Sequence, residues 1–148
     1  MNRSLILSFL LALSFLGMAD SWYLYQSAVT DTALSCDIGA GLDGCNIVAQ
    51  SPYSYLLGLP LALYGIGFFA LMFALTAALF VAPKRILYQA LFLLTILGSI
   101  ASVIFLAIQF ALIKALCIYC ILSAAFVFLM LGCARLLWKR FLPAEPGV

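Results

Sequence analysis

The sequence has no histidine, and only 8% of its 148 residues are charged. Without an imidazole it lacks the usual proton shuttle of neutral pH and the commonest metal ligand, which argues against a hydrolase and against most metal centres. Water-soluble domains are about a quarter charged and about half apolar. Here 68% of residues are hydrophobic and the mean hydropathy is +1.26, so most of the surface must face lipid rather than water. A net charge of +2 offers little to a nucleic acid. Cysteine is also sparse, at five residues, yet with histidine missing it is the side chain left to carry chemistry.

Four apolar runs reach the roughly 20 residues that a spanning helix needs: about 5–25, 57–82, 86–113 and 116–138. They predict an all-α integral membrane protein, a four-transmembrane-helix bundle forming a single membrane domain over 1–148. Pro83-Lys84-Arg85 breaks the second run from the third. In a four-span arrangement Arg3, Lys84, Arg85, Arg135, Lys139 and Arg140 share one side and Lys114 lies on the other. The positive-inside rule then puts both termini in the cytoplasm. The long loop, about 26–56, faces outward and holds Asp31, Asp37 and Asp43 without a Lys or Arg.

The first run has the look of a secretory signal, with Arg3 ahead of it and Gly17-Met18-Ala19 near its end. The aromatic residues Trp22, Tyr23 and Tyr25 favour a retained helix that ends at the outer interface. Asp20 lies near that end, where the simplest reading lets its carboxylate reach headgroup water, although an acid in a span also raises a functional question. In the loop, Gly39, Gly41 and Gly44 surround Cys36 and Cys45 and suggest mobility. The apolar and aromatic strip from Asn46 to Leu57 suits a short interfacial helix or lid. Gly58-Leu59-Pro60 is expected to open the second span, with proline in its first turn.

Cys117 and Cys120 form Cys-Ile-Tyr-Cys where the fourth span begins. A spacing of three puts both sulfurs on one helix face, close enough for a disulfide. A helix N-terminus lowers thiol pKa values and so favours the attacking thiolate; Lys114 could add to this. Taken alone, the pair could be small buried hydrophobes or half of a zinc site. Cys36 and Cys45 could be a structural staple, since disulfides persist outside the cytoplasm. Two pairs brought to one compartment favour exchange over either static role. Cys133 lies deep and reads as packing.

Ser35-Cys36-Asp37-Ile38-Gly39, Cys45 with Val48 and Ser51, Gly58-Leu59-Pro60 with Gly65, and Cys117-Ile118-Tyr119-Cys120 together resemble the vitamin K epoxide reductase family in its bacterial form, over roughly residues 5 to 138. The resemblance implies a four-helix bundle around a quinone, ubiquinone or menaquinone, that accepts electrons from a thioredoxin-fold, DsbA-like periplasmic protein. It assigns Cys45 to the partner, Cys36 to the shuttle towards Cys117, and Cys120 to the quinone. Tyr64, Phe68 and Phe105 are candidate quinone walls. Ile121 to Ala124 follow Cys120 where vertebrate-type members have a tyrosine, so no group is assigned to the quinone carbonyl. Some relatives carry a fused thioredoxin-like domain; this sequence ends at Val148, so its partner is expected to be a separate protein. The alternatives are a DsbB-type oxidoreductase, in which the Cys-x-x-Cys comes before the spaced pair, and a non-catalytic four-span protein with structural disulfides. The order of the pairs here favours the first reading, in a bacterial cytoplasmic membrane with the active face in the periplasm.

Overall fold

A computed structural model describes residues 2–36 and 44–141. Asp37, Gly39, Gly41, Asp43 and the tail from Pro143 to Val148 lie outside the described residues. The elements run α1 (Arg3–Thr30), α2 (Cys45–Ala49), a 3-10 turn (Pro52–Ser54), β1 (Tyr55–Leu56), β2 (Leu59–Pro60), α3 (Leu61–Val81), α4 (Arg85–Ile108), a π-helical turn (Gln109–Ile113) and α5 (Ile118–Phe141). Four helical segments, α1, α3, α4 with its π turn, and α5, are each long and apolar enough to cross a membrane. The protein is an all-α four-helix membrane bundle.

Lipid offers no hydrogen bonds, so polar side chains inside a bundle must be satisfied locally. Ser14, Thr76 and Ser99 each donate to the carbonyl four residues back, and Thr95 to the one three back. Small residues let helices approach: a Cβ at Gly65 would lie 2.6 Å from the Ser21 hydroxyl oxygen, and Gly17 lies under the Phe69 ring, so α1 and α3 cross closely. Along α4, Tyr88, Leu91, Thr95 and Ser99 face inward, while Leu93, Leu97, Ile100 and Ile104 face outward, the division a lipid-bathed helix requires.

The two halves of the bundle differ. Ile6, Leu10, Met72, Leu91, Met130 and Leu137 fill the half nearest the basic residues. There the Arg3 guanidinium donates to the Leu79 carbonyl near the end of α3, where a cation complements the helix dipole. Cys133 is buried in this packed half. The opposite half is hollow and holds the other four cysteines.

Helix ends depart from the expected spans for local reasons. At about 1.5 Å per residue, α1 is roughly 42 Å long, more than a hydrocarbon core needs, and it runs past Tyr25 to a left-handed cap at Asp31. α3 begins at Leu61 rather than near Leu57 because Tyr55 to Pro60 form a hairpin, pairing Leu56 with Leu59. Its turn residues Leu57 and Gly58 both have positive φ, 54° and 80°, the signature of a tight type I′ turn. Pro60 therefore caps α3 from outside instead of sitting in its first turn. The expected interfacial strip becomes α2, the 3-10 turn and this hairpin.

Candidate functional site

Cys36 and Cys45 are joined in a disulfide, with Cα atoms 6.1 Å apart. Cys36, Cys45 and Cys117 are buried in one cluster with Leu34 and Val48, and Cys120 packs against it. Four sulfurs distant in sequence are thus gathered at the hollow end, with Cys117 and Cys120 free.

Specific contacts hold the disulfide there. The Asn46 side chain accepts from the Leu34 N–H at 2.8 Å and donates to the Leu34 carbonyl at 3.2 Å, imitating a strand pair beside the sulfurs. Two phenols clamp Ser35: its N–H donates to the Tyr23 oxygen at 3.3 Å, and Tyr119 donates to its carbonyl at 2.8 Å. The two rings lie 5.1 Å apart. The Gly44 N–H donates to the Leu116 carbonyl at 3.2 Å, tying the residue before Cys45 to the residue before Cys117.

Gly44 is needed for this approach rather than for mobility. A Cβ there would lie 2.7 Å from the Ala115 Cβ and 2.9 Å from the Leu116 nitrogen. Gly44→Ala should therefore cost about 1–3 kcal/mol in docking. It is expected to slow thiol exchange between loop and helix pair while an external dithiol still reduces the loop disulfide. Stopped-flow comparison of the two steps checks this, and equal rates in both proteins would contradict it.

Cys117 caps α5. The Cys120 N–H, third in the helix, donates to the Cys117 Sγ at 3.4 Å, the position a serine or aspartate oxygen takes in an ordinary N-cap. The Cys120 thiol, with the backbone N–H groups of Cys120 and Tyr119, holds the Cys117 thiol below its ordinary 9.0, against burial and the Asp20 charge. Lys114, expected to help, is not a source of this lowering. Alkylation of reduced Cys117, followed site by site by mass, should therefore have its midpoint below pH 9.0. Cys120→Ala removes the main donor to the thiolate and should move that midpoint upward; no movement would contradict the assignment.

Gln109 was missed in the sequence. The π turn, a feature frequent at functional sites, aims it inward, where it is buried. Its Oε1 accepts the Cys117 N–H at 3.1 Å, and its side chain also hydrogen-bonds Cys120. One amide thus holds both helix cysteines. A single glutamine in a long apolar run is the signal that would have found it.

Beside the cysteines lies a cavity of about 310 Å³, within the range of small-molecule sites. Tyr64, Phe68 and Phe105, the three expected walls, all line it, as do Cys45, Cys117 and Cys120. Phe68 lies against Gly98 of α4, where a Cβ would be 2.6 Å from its ring. The Tyr64 hydroxyl is committed to the Leu56 carbonyl at 3.0 Å. Asp20 is not at the end of its helix: it sits ten residues before the end of α1, is partly buried, and accepts a hydrogen bond from Ser123 of α5. Its carboxylate turns into the bundle towards α5 instead of standing free at a helix end.

A dithiol at a helix N-terminus, a disulfide packed on it and an apolar cavity beside both make up one site at the hollow end of the bundle. The family model described as "Vitamin K epoxide reductase family" matches residues 8–134, and the chain belongs to that family. Members are in general membrane oxidoreductases that exchange electrons among thiols, disulfides and quinones, with thioredoxin-like partners. No curated protein matches the chain.

Proposed function

We propose that the protein is a thiol:quinone oxidoreductase that reoxidises a thioredoxin-fold, DsbA-like partner and so supports disulfide-bond formation. A reduced partner attacks the Cys36–Cys45 disulfide, and Cys45 forms the mixed disulfide. Cys36, released as thiolate, attacks the oxidised helix pair at Cys117. The partner's second thiol displaces Cys45 and leaves as the partner disulfide. Cys45 then attacks Cys36, which frees Cys117 and restores the loop disulfide. The reduced Cys117–Cys120 pair gives two electrons and two protons to a quinone, ubiquinone or menaquinone, as its own disulfide reforms. Each exchange needs in-line access and an acidic leaving thiol, and Cys117 at its cap is that leaving thiol when Cys45 recaptures Cys36.

The observation that carries this reading is the packing of the loop disulfide against Cys117 at the mouth of a cavity that Cys120 also lines. A flat apolar ring suits walls such as Phe68 and Phe105, and the quinone is the electron-accepting substrate there. Gln109 keeps both cysteines facing that space. Concentration of Arg and Lys at the far end supports an orientation with the disulfide end outward, in the periplasm of a bacterium whose cytoplasmic membrane holds the protein.

The test is quinone reduction by the purified protein in detergent, with a reduced thioredoxin-fold donor and a short-chain soluble quinone. One quinone should disappear per two donor thiols. A donor oxidised without quinone loss, or no oxidation of the donor at all, would remove the proposal in favour of disulfides that act only as staples.

A further inference from the structure

Resting on the quinone-reducing reading of the cavity, we propose that Ser123 relays protons between that cavity and the partly buried carboxylate of Asp20, serving the transfer from Cys120 to the quinone.

The choice of partner made by Ser123 is the first argument. Ser14, Thr76, Thr95 and Ser99 are satisfied by carbonyls of their own helices. That is the ordinary, local way for a hydroxyl to live in a span. Ser123 instead donates across the bundle to Asp20 Oδ2, 103 residues away in sequence. Among the described residues, Asp20 is held by a hydroxyl rather than a cation. An acid on a spanning helix that turns into the bundle is costly, and in membrane proteins such acids commonly mark proton paths.

Position is the second argument. Ser123 lines the cavity together with Cys117 and Cys120. It follows Cys120 by three residues on α5, so the two side chains share one helix face. Asp20 is close enough for its charge to oppose thiolate formation at Cys117. The other polar groups of the described lining include the Ser51 hydroxyl and the Gln109 amide, neither of which is a carboxylate that could take up a proton. Asp20 is one hydrogen bond behind that lining.

The chemistry needs such a store. When the dithiol reduces a quinone, two S–H bonds break, one S–S bond forms, and two O–H bonds form on the former carbonyl oxygens. The sulfurs supply the electron pair. The relay takes the Cys120 proton as Ser123 accepts from the cavity side and passes its own proton to the Asp20 carboxylate. The reverse motion delivers it to a quinol oxygen. The Cys117 proton follows the same route to the second oxygen as the disulfide closes, and Asp20 ends as the carboxylate it began as. No further reactant is required.

Asp20→Asn separates this role from a structural one, because the asparagine carbonyl still accepts from Ser123 and keeps α1 tied to α5. The full-length protein in detergent, reduced with dithiothreitol, is mixed with a short-chain soluble quinone. Asp20→Asn and Ser123→Ala should each lower kcat for quinone reduction by about 10²-fold or more, with KM little changed. Ser123→Thr and Asp20→Glu should recover much of it, and dithiothreitol reduction of the loop disulfide should stay at the wild-type rate in all four. Quinone reduction at full rate in Asp20→Asn overturns the relay, as does an equal slowing of both half-reactions. A wild-type protein inactive with quinone would instead remove the reading on which the relay rests.

Discussion

Cys120→Ala should abolish quinone reduction, by at least roughly 10³-fold, as expected when the group that delivers the reaction is deleted. The loop disulfide should remain reducible by an external dithiol, since Cys36 and Cys45 are joined to each other and held by Asn46, Tyr23 and Tyr119. Without Cys120 to recapture it, the Cys117 thiolate can attack the loop disulfide at Cys36 and expel Cys45 as the leaving thiolate, so a bond between Cys36 and Cys117 should accumulate during turnover. Non-reducing peptide mapping would detect it. A variant that kept the wild-type rate would show that the electron pair leaves from somewhere other than Cys120.

Cys36→Ala should stop turnover as completely, at an earlier step. With Cys36 gone, the partner thiol can still join Cys45 through an oxidised donor or an added oxidant. No neighbouring loop thiol remains to displace it. A covalent complex with the thioredoxin-fold donor should therefore build up and disappear on reduction. In the intact protein Cys45 is fully buried, so access to it requires the loop to lift from Leu116, and the yield of complex should rise in Gly44→Ala combined with Cys36→Ala. Mass analysis of the trapped species would identify the attacked cysteine. No complex under either condition would remove Cys45 from the partner's path.

Much of this architecture was legible because the membrane imposes coarse rules. Long apolar runs, the Pro83-Lys84-Arg85 break and the cysteine spacing were enough to expect four helices and two thiol pairs, and Tyr64, Phe68 and Phe105 do line one cavity. What escaped was set by tertiary contact. Hydropathy marks where lipid ends, not where a helix ends, so Asp20 was taken for a helix-end residue although α1 continues to Thr30 and its carboxylate meets Ser123. Glycine reads as freedom in a sequence, but Gly44 is required by the close approach of Ala115 and Leu116. Asn46 and Gln109 act through bonds to backbone groups remote in sequence or across a π turn. No local pattern announces such bonds.

The most direct measurement is spontaneous cross-linking in a protein carrying Cys45→Ser and Cys120→Ser, purified in detergent and oxidised mildly. A shuttle between the pairs predicts that Cys36 and Cys117 join rapidly and nearly completely within one chain, as mapped by mass after digestion. Two thiols that both stay free and open to alkylation would contradict it.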